Sequence, residues 1–159
     1  MTPDIGSEEN AFRLLSPAFG EGASIPVQYT CKGQNINPPL GIVGTPKEAK
    51  GLALIMHDPD AVGSDFTHWL LWDIPAGTEN IAANSVPIGA SQGKNDGGKL
   101  GYYGPCPPTG TGVHRYIFEL YALSKPLAKA GEVTRHQLES AIAGNIISKS
   151  ILTGLFGAD

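Results

Sequence analysis

The chain has 159 residues, a length that suits one domain, and 41% of them are hydrophobic. Only 16% are charged, whereas Gly (21) and Pro (13) are abundant, which predicts a domain with many turns rather than a disordered chain. The net charge of −4 and the scattered Lys and Arg argue against a nucleic-acid-binding protein and against general attraction to anionic membranes.

No apolar run approaches the ~20 residues of a membrane span, and the first residues lack the features of a secretory signal. We therefore expect one domain over residues 1–159 in the cytoplasm, with residues 1–11 as a flexible N-terminal extension.

The chain as far as residue 123 favours short strands separated by turn residues. The predicted strands cover residues 12–19, 23–30, 51–60, 67–75 and 113–123. Proline interrupts the first two, which is typical of sheet edges and bulges. In the last and longest strand, alternation places His114 and Tyr116 on one face and Arg115 on the other.

The C-terminal segment has a different pattern. Thr134 and Gln137 have the spacing of a helix capping box, and apolar residues recur at roughly helical period over residues 134–156. Gly144-Asn145 is a point where this segment could divide into two helices. Strands first and helices last predict a mainly β domain with C-terminal helices rather than alternating βαβ units.

Residues 89–93, GASQG, match the G-x-S-x-G pattern of a hydrolase nucleophile. That motif needs a strand before the serine and a helix after it. The following residues, KNDGGKLG, are unsuited to starting a helix, so we interpret the segment as a flexible turn.

A second candidate site is a set of polar residues where predicted strands meet loops, which is where binding groups are often positioned. Its members are Asp58, Asp60, His68, His114 and Tyr116. Each has an ordinary alternative, because strand histidines are often packed core residues and Asp-Pro is a common turn. Two histidines and an aspartate are also compatible with a metal site, and the spacing does not separate these possibilities.

Two further histidines are interpreted as structural or solvent-exposed. In an extended strand His57 points away from the side of Asp58, and His136 falls in the first predicted helical turn.

Four stretches together resemble the phosphatidylethanolamine-binding protein family, and most of all its bacterial and archaeal, Raf-kinase-inhibitor-like branch. They are YTCKGQNINPPL (29–40), DPDA (58–61), HWLLWDIP (68–75) and GKNDGGKLGYYGPCPPTGTGVHRYIFELYAL (93–123). The resemblance extends from about Phe12 to the C-terminus. It implies a mainly β fold, in which a central antiparallel sheet packs on a second, smaller sheet with C-terminal helices beside it.

The resemblance also implies a small pocket at one end of the sheet that binds phosphate-like anions such as phospholipid headgroups, and so favours an anion over a metal. By motif position the pocket residues are Asp58, His68, His114 and Tyr116, with Asp60, Gly104, Pro107 and Pro108 close by. We expect a binding module without cofactor or catalysis, and family members suggest a homodimer.

Two alternatives remain. One is an inhibitor of a protein kinase or serine protease. The other is a hydrolase that uses Asp58, His68 and His114, although the sequence shows no nucleophile held by a base.

The chain departs from the family pattern at several positions. Val62 replaces a proline that often follows a cis peptide, so we expect a trans bond and a reshaped rim. Ile42 replaces a frequent tryptophan, and residues 144–150 lack a frequent histidine.

Cys31 and Cys106 fall in loops that the resemblance places on the ligand side, but a cytoplasmic location predicts that they are not bonded. We expect Arg115 to point away from the pocket and to pair with an acidic residue.

Overall fold

The computed structural model describes residues 11–129 and 131–158, so the predicted extension lies outside the described residues except for Ala11. Eight strands are described in these ranges: β1 Arg13–Leu15, β2 Leu40–Val43, β3 Gly51–Asp58, β4 Phe66–Ile74, β5 Asn80–Ile81, β6 Ser91–Gln92, β7 Val113–Leu123 and β8 Ile146–Gly157. One α-helix, α1 Arg135–Ile142, and a 3₁₀ turn, Val27–Tyr29, complete the regular structure of those ranges.

The strands form two antiparallel sheets. The larger has the order β6-β4-β3-β7-β8, and the smaller has the order β1-β2-β5. One hydrophobic cluster joins Met56 and Phe118 of the larger sheet to Leu14 and Ile42 of the smaller one. The predicted fold class, a mainly β protein with a larger and a smaller sheet, is confirmed.

A second hydrophobic cluster lies on the opposite face of the larger sheet, where Ile55 and Trp72 pack with Leu138 and Ile142 of α1. This helix begins with the predicted capping box: Gln137 N donates to Thr134 Oγ1, and Thr134 N donates to Gln137 Oε1. Among the described residues, no helix has the length and apolar character that crossing a membrane requires.

The prediction of helix over residues 134–156 is wrong beyond Ile142. Gly144 adopts a positive φ of 85°, which ends the helix, and Ile146–Gly157 form β8. This strand pairs with β7 along its whole length, and its isoleucines suit a pleated strand better than a helix. The predicted C-terminal helices are therefore one helix of eight residues followed by an edge strand.

The strand predicted at residues 23–30 is also wrong. Its second half is the 3₁₀ turn, and its first half forms an isolated parallel bridge at the outer edge of β8, where Ile25 N donates to Leu155 O at 2.8 Å and Leu155 N donates to Ala23 O at 2.9 Å. The strand predicted at residues 12–19 is shortened to β1, because Pro17 cannot donate to a sheet.

Candidate functional site

A cavity of about 190 Å³ opens where β3 ends and where β4 and β7 begin. Because neighbouring strands are antiparallel, the end of β3 and the starts of β4 and β7 lie together at one end of the sheet. The cavity is lined by Asp58, Ala61, Val62, Phe66, His68, Tyr103, Cys106, Pro107, Pro108, His114 and Tyr116. Six residues predicted for the site are among them, and the strand ends and the loop before β7 bring them together.

Two predicted site residues, Asp60 and Gly104, lie outside this lining. The guanidinium of Arg115 donates to Asp60 twice, from Nε to Oδ2 and from Nη2 to Oδ1, each at 2.9 Å. Hydrogen bonds from the Arg115 side chain and backbone lower the pKa of Asp60 to about 2. Arg115 therefore points away from the cavity and pairs with an acidic residue, as predicted.

Gly104 allows a close contact between two loops. Its N–H donates to Asn35 Oδ1 at 2.8 Å, and a Cβ at this position would lie 2.5 Å from Tyr29 O. Any side chain at Gly104 would therefore separate the loop before β7 from residues 29–35.

His68 reaches the cavity because of a β-bulge in β4. Met56 pairs with Trp69 and His57 pairs with Thr67, so His68 is the extra residue between two pairs. Simple alternation would place His68 on the face of Leu70, toward α1. The bulge instead turns its ring toward Tyr116, with ring centroids 5.3 Å apart.

The environment of His68 defines its hydrogen-bonding capacity. Its Nδ1 donates to Tyr103 O at 2.5 Å, because a carbonyl oxygen can only accept. Burial lowers the pKa of His68, whereas the Tyr103 carbonyl and the charges of Asp58 and Asp96 oppose that shift.

His114 lies in a chain of hydrogen bonds with Asp58 and Thr111. Its Nδ1 is 2.7 Å from Asp58 Oδ2, and its Nε2 is 2.9 Å from Thr111 Oγ1. Thr111 Oγ1 donates its own hydrogen to Pro108 O at 2.6 Å. Thr111 is not among the site residues predicted from the sequence, where its one signal is its position three residues before His114.

These hydrogen bonds have the order of a hydroxyl–imidazole–carboxylate triad. A hydroxyl therefore does contact a site histidine, although no such hydroxyl was predicted from the sequence. The hydroxyl hydrogen, however, is directed to Pro108 O rather than to His114 Nε2. The arrangement therefore fits a positioning role for Thr111 better than that of an activated nucleophile.

Tyr116 is the most unusual residue of the cavity. Its side chain is 0% exposed, yet its hydroxyl has no hydrogen-bond partner within the described residues. Burial, the nearby charge of Asp58 and a weak hydrogen-bond interaction with its carboxylate, short of a bond of ordinary geometry, raise the pKa of Tyr116, which keeps the hydroxyl protonated and able to donate. A buried hydroxyl without a partner costs about 1–3 kcal/mol, so it is expected to have a partner when a ligand is bound.

The expectation that Cys31 and Cys106 are unbonded is wrong. They form a disulfide, with Cα atoms 5.3 Å apart. Cys31 N also donates to Pro105 O at 3.0 Å, so backbone contact already brings the two loops together. Because Cys106 lines the cavity beside Pro107, the disulfide fixes one wall of the site.

Ala61 and Val62 also line the cavity. Val62 is 73% exposed, and the peptide bond before it is trans, as predicted from the absence of proline. An exposed apolar side chain therefore stands at the mouth of the cavity.

His57 lies on the other face of the sheet, as predicted, and belongs to a separate network. Its Nδ1 is 2.9 Å from Asp65 Oδ1, and its Nε2 is 2.7 Å from Glu119 Oε2. Burial opposes protonation, but the hydrogen bonds to Glu119 and Asp65 outweigh it and raise the pKa of His57. His136 is exposed in the first turn of α1.

The G-x-S-x-G segment does not form a nucleophile elbow. Ser91 lies in the two-residue strand β6, and no helix follows it in the described chain before α1. Gly93 instead permits close packing, since a Cβ there would lie 2.5 Å from Val133 O. No group of three or more His, Cys, Asp and Glu residues in the described ranges is arranged to hold a metal ion.

Two antiparallel sheets, with a histidine-lined cavity at one end of the larger sheet, define the class of protein. The chain belongs to the phosphatidylethanolamine-binding protein family, whose family model matches residues 15–157. It is 43% identical to UPF0098 protein PH1269 of Pyrococcus horikoshii over 157 residues, which cover 95% of this chain and 79% of that protein.

Solved structures agree with this assignment. The crystal structure of Escherichia coli YbcL, a member of the mammalian PEBP family, matches with a TM-score of 0.87 and 28% identity, over 93% of this chain and 99% of YbcL. A carboxypeptidase Y inhibitor, complexed with its cognate proteinase, matches with a TM-score of 0.60 and 18% identity, over 96% of this chain and 91% of the inhibitor. The second likeness shows the fold alone.

Proposed function

We propose that this protein is a binding module for phosphate-type anions, including phospholipid headgroups, and that it does not turn its ligand over. The observation that carries this proposal is the Tyr116 hydroxyl, which is buried in the cavity lining without a partner. A phosphate oxygen would accept a well-formed hydrogen bond from this hydroxyl, which makes none of ordinary geometry within the described chain.

The rest of the lining supports a small ligand with a polar head. His68 and His114 flank Tyr116, with ring centroids 5.3 and 6.3 Å from its ring. Phe66, Tyr103 and the prolines of the loop supply apolar walls, which strengthen electrostatic contacts by excluding water.

Substitution of Tyr116 by Phe tests the proposal. Calorimetric titration with phosphoethanolamine should show at least a tenfold loss of affinity. The free energy of unfolding of the unliganded protein should stay constant or rise by about 1 kcal/mol, because Tyr116→Phe removes an unsatisfied hydroxyl.

Tyr102→Phe is the matched control. The Tyr102 hydroxyl donates to Tyr29 O at 2.7 Å and lies outside the cavity lining. This variant should lose about 1 kcal/mol of stability and keep its affinity. Unchanged binding by Tyr116→Phe would contradict the proposal.

A second candidate function is inhibition of a protease or protein kinase. The exposed Val62 at the cavity mouth favours it, because apolar side chains at an exposed rim are suited to contact a partner protein. Inhibition assays against serine proteases and kinases, with Val62→Asp beside the unsubstituted protein, test it. Inhibition that Val62→Asp abolishes would support this function.

The hydrolase alternative depends on the Thr111–His114–Asp58 chain. A screen of phosphatase, esterase and lysophospholipase substrates should show no turnover. Turnover that disappears in both Thr111→Val and Asp58→Asn would overturn the proposal of a non-catalytic module.

A further inference from the structure

Both ring nitrogens of His114 are occupied by the protein itself. Nδ1 faces a carboxylate oxygen of Asp58, which only accepts, so Nδ1 donates. Nε2 lies 2.9 Å from Thr111 Oγ1, whose hydroxyl also contacts Pro108 O. Both ring nitrogens of His114 are therefore engaged within the protein, and neither remains for a ligand.

His68 offers the opposite chemistry. Because Nδ1 donates to Tyr103 O, the Nε2 of the neutral ring carries a lone pair and acts as an acceptor. The neutral ring is favoured by burial and by the charge of His57, and opposed by the charges of Asp58 and Asp96. His68 therefore accepts a hydrogen bond from a ligand and does not donate one.

The remaining polar groups complete this pattern. Asp58 Oδ1 accepts from Asp60 N at 2.8 Å, and its Oδ2 contacts His114, so each oxygen already has one partner within the protein. Among the described residues that line the cavity there is no Lys or Arg. The cavity thus presents a hydroxyl donor, Tyr116, and an unengaged acceptor, His68 Nε2, beside a His114–Asp58 pair whose polar atoms each already have a partner in the protein.

We propose that this site selects the protonated, monoanionic form of a phosphate monoester or phosphonate. The P–OH group donates to His68 Nε2, and a P–O⁻ oxygen accepts from the Tyr116 hydroxyl. A dianion leaves the His68 lone pair facing a ligand oxygen, and a phosphodiester has no P–OH to donate. This inference rests on the proposed function, because it assumes that the cavity takes phosphate-type ligands.

Calorimetric titration from pH 5 to pH 8 at constant ionic strength tests it with four probes: methyl phosphate, methylphosphonate, dimethyl phosphate and sulfate. The affinity for methyl phosphate should fall about tenfold per pH unit above the second pKa of a phosphate ester, near 6, because only the monoanion binds. Methylphosphonate, with a higher second pKa, should show the same fall displaced to higher pH. Dimethyl phosphate and sulfate should bind at least tenfold more weakly than methyl phosphate at pH 5.5.

Two results would overturn the inference. Sulfate or dimethyl phosphate binding as tightly as methyl phosphate would show that no ligand proton is needed. A fall in affinity at the same pH for methyl phosphate and methylphosphonate would assign the titration to the protein. If none of the four probes binds, the proposed function itself fails, which is a distinct outcome.

His68→Gln adds an independent check, since its amide offers both a donor and an acceptor. Between pH 5 and pH 8, the fold change in the affinity of this variant for methyl phosphate should be at least tenfold smaller than that of the unsubstituted protein. An unaltered pH dependence would exclude His68 as the acceptor, and the four probes decide the inference without the variant.

Discussion

His114 and Arg115 are neighbours in β7, yet their side chains belong to opposite faces of the sheet. The His114 ring lies in the cavity lining against Asp58, whereas the Arg115 guanidinium holds Asp60 outside that lining. The alternation of a strand therefore separates the only arginine of the HRY sequence from the ligand.

This separation predicts that Arg115 contributes little to ligand binding. Arg115→Gln should change the affinity for phosphoethanolamine by no more than about twofold at 0.15 M salt, where charges are screened beyond about 8 Å. Calorimetry beside Tyr116→Phe provides the comparison. A tenfold loss in Arg115→Gln would mean that the guanidinium contacts the ligand.

The disulfide predicts a large dependence of stability on redox state. The bond closes a loop with a sequence separation of 75, and loops of this kind contribute about 2–4 kcal/mol to the free energy of unfolding. Denaturant unfolding of the Cys31→Ser/Cys106→Ser variant, and of the native protein with and without reductant, measures this difference. Ligand affinity should fall as well, because Cys106 lies in the cavity wall. Two reactive thiols in the unreduced, denatured protein would contradict the bond.

The His57 network predicts a pH window for its contribution to stability. The hydrogen bond from His57 lowers the pKa of Glu119 from 4.5 to about 2, so its contribution is present above pH 4.5 and is lost as the pH falls toward 2. The pKa of His57 is raised above 6.5, so its contribution is present below pH 6.5 and is lost as the pH rises through the raised value.

His57→Gln should therefore cost most between about pH 5 and 6, where both contributions are complete, by about 1–2 kcal/mol. Denaturant unfolding at pH 3, 5.5 and 8.5 measures the difference. The exposed His136 gives the matched control, since His136→Gln should show no such maximum. A cost for His57→Gln that is constant across these pH values would exclude the network as its origin.

We predict that the contact between the two loops at Gly104 is needed for ligand binding, although Gly104 lies outside the cavity lining. Gly104→Ala should cost about 1–3 kcal/mol of stability, because its Cβ would overlap Tyr29 O and force the loops apart. Gly20→Ala is the control, since a Cβ there meets nothing within 4 Å. Phosphoethanolamine affinity should fall only in Gly104→Ala, and equal behaviour of the two variants would refute the role of this contact.

Sequence patterns predicted the elements whose side chains follow a regular repeat. The alternation in β7 predicted the faces of His114 and Arg115, and the capping box predicted the start of α1. The way His68 reaches the cavity was not predictable, because a bulge depends on the register between two strands rather than on local sequence. The prediction of a helix in place of β8 was wrong for a related reason. The apolar repeat of this segment also suits a helix, but pairing with β7, which is a tertiary contact, makes it a strand.

The Cys31–Cys106 bond also makes the chain a covalent ring that contains β2 to β6 and the segment bearing Val62. A protease that cuts one peptide bond within residues 32–105 opens this ring but releases no fragment. The two pieces remain one molecule until the disulfide is reduced. In electrophoresis, a nick at the rim of the cavity would therefore separate the two pieces under reducing conditions but not under non-reducing ones, and the nicked chain would keep both walls of the site attached.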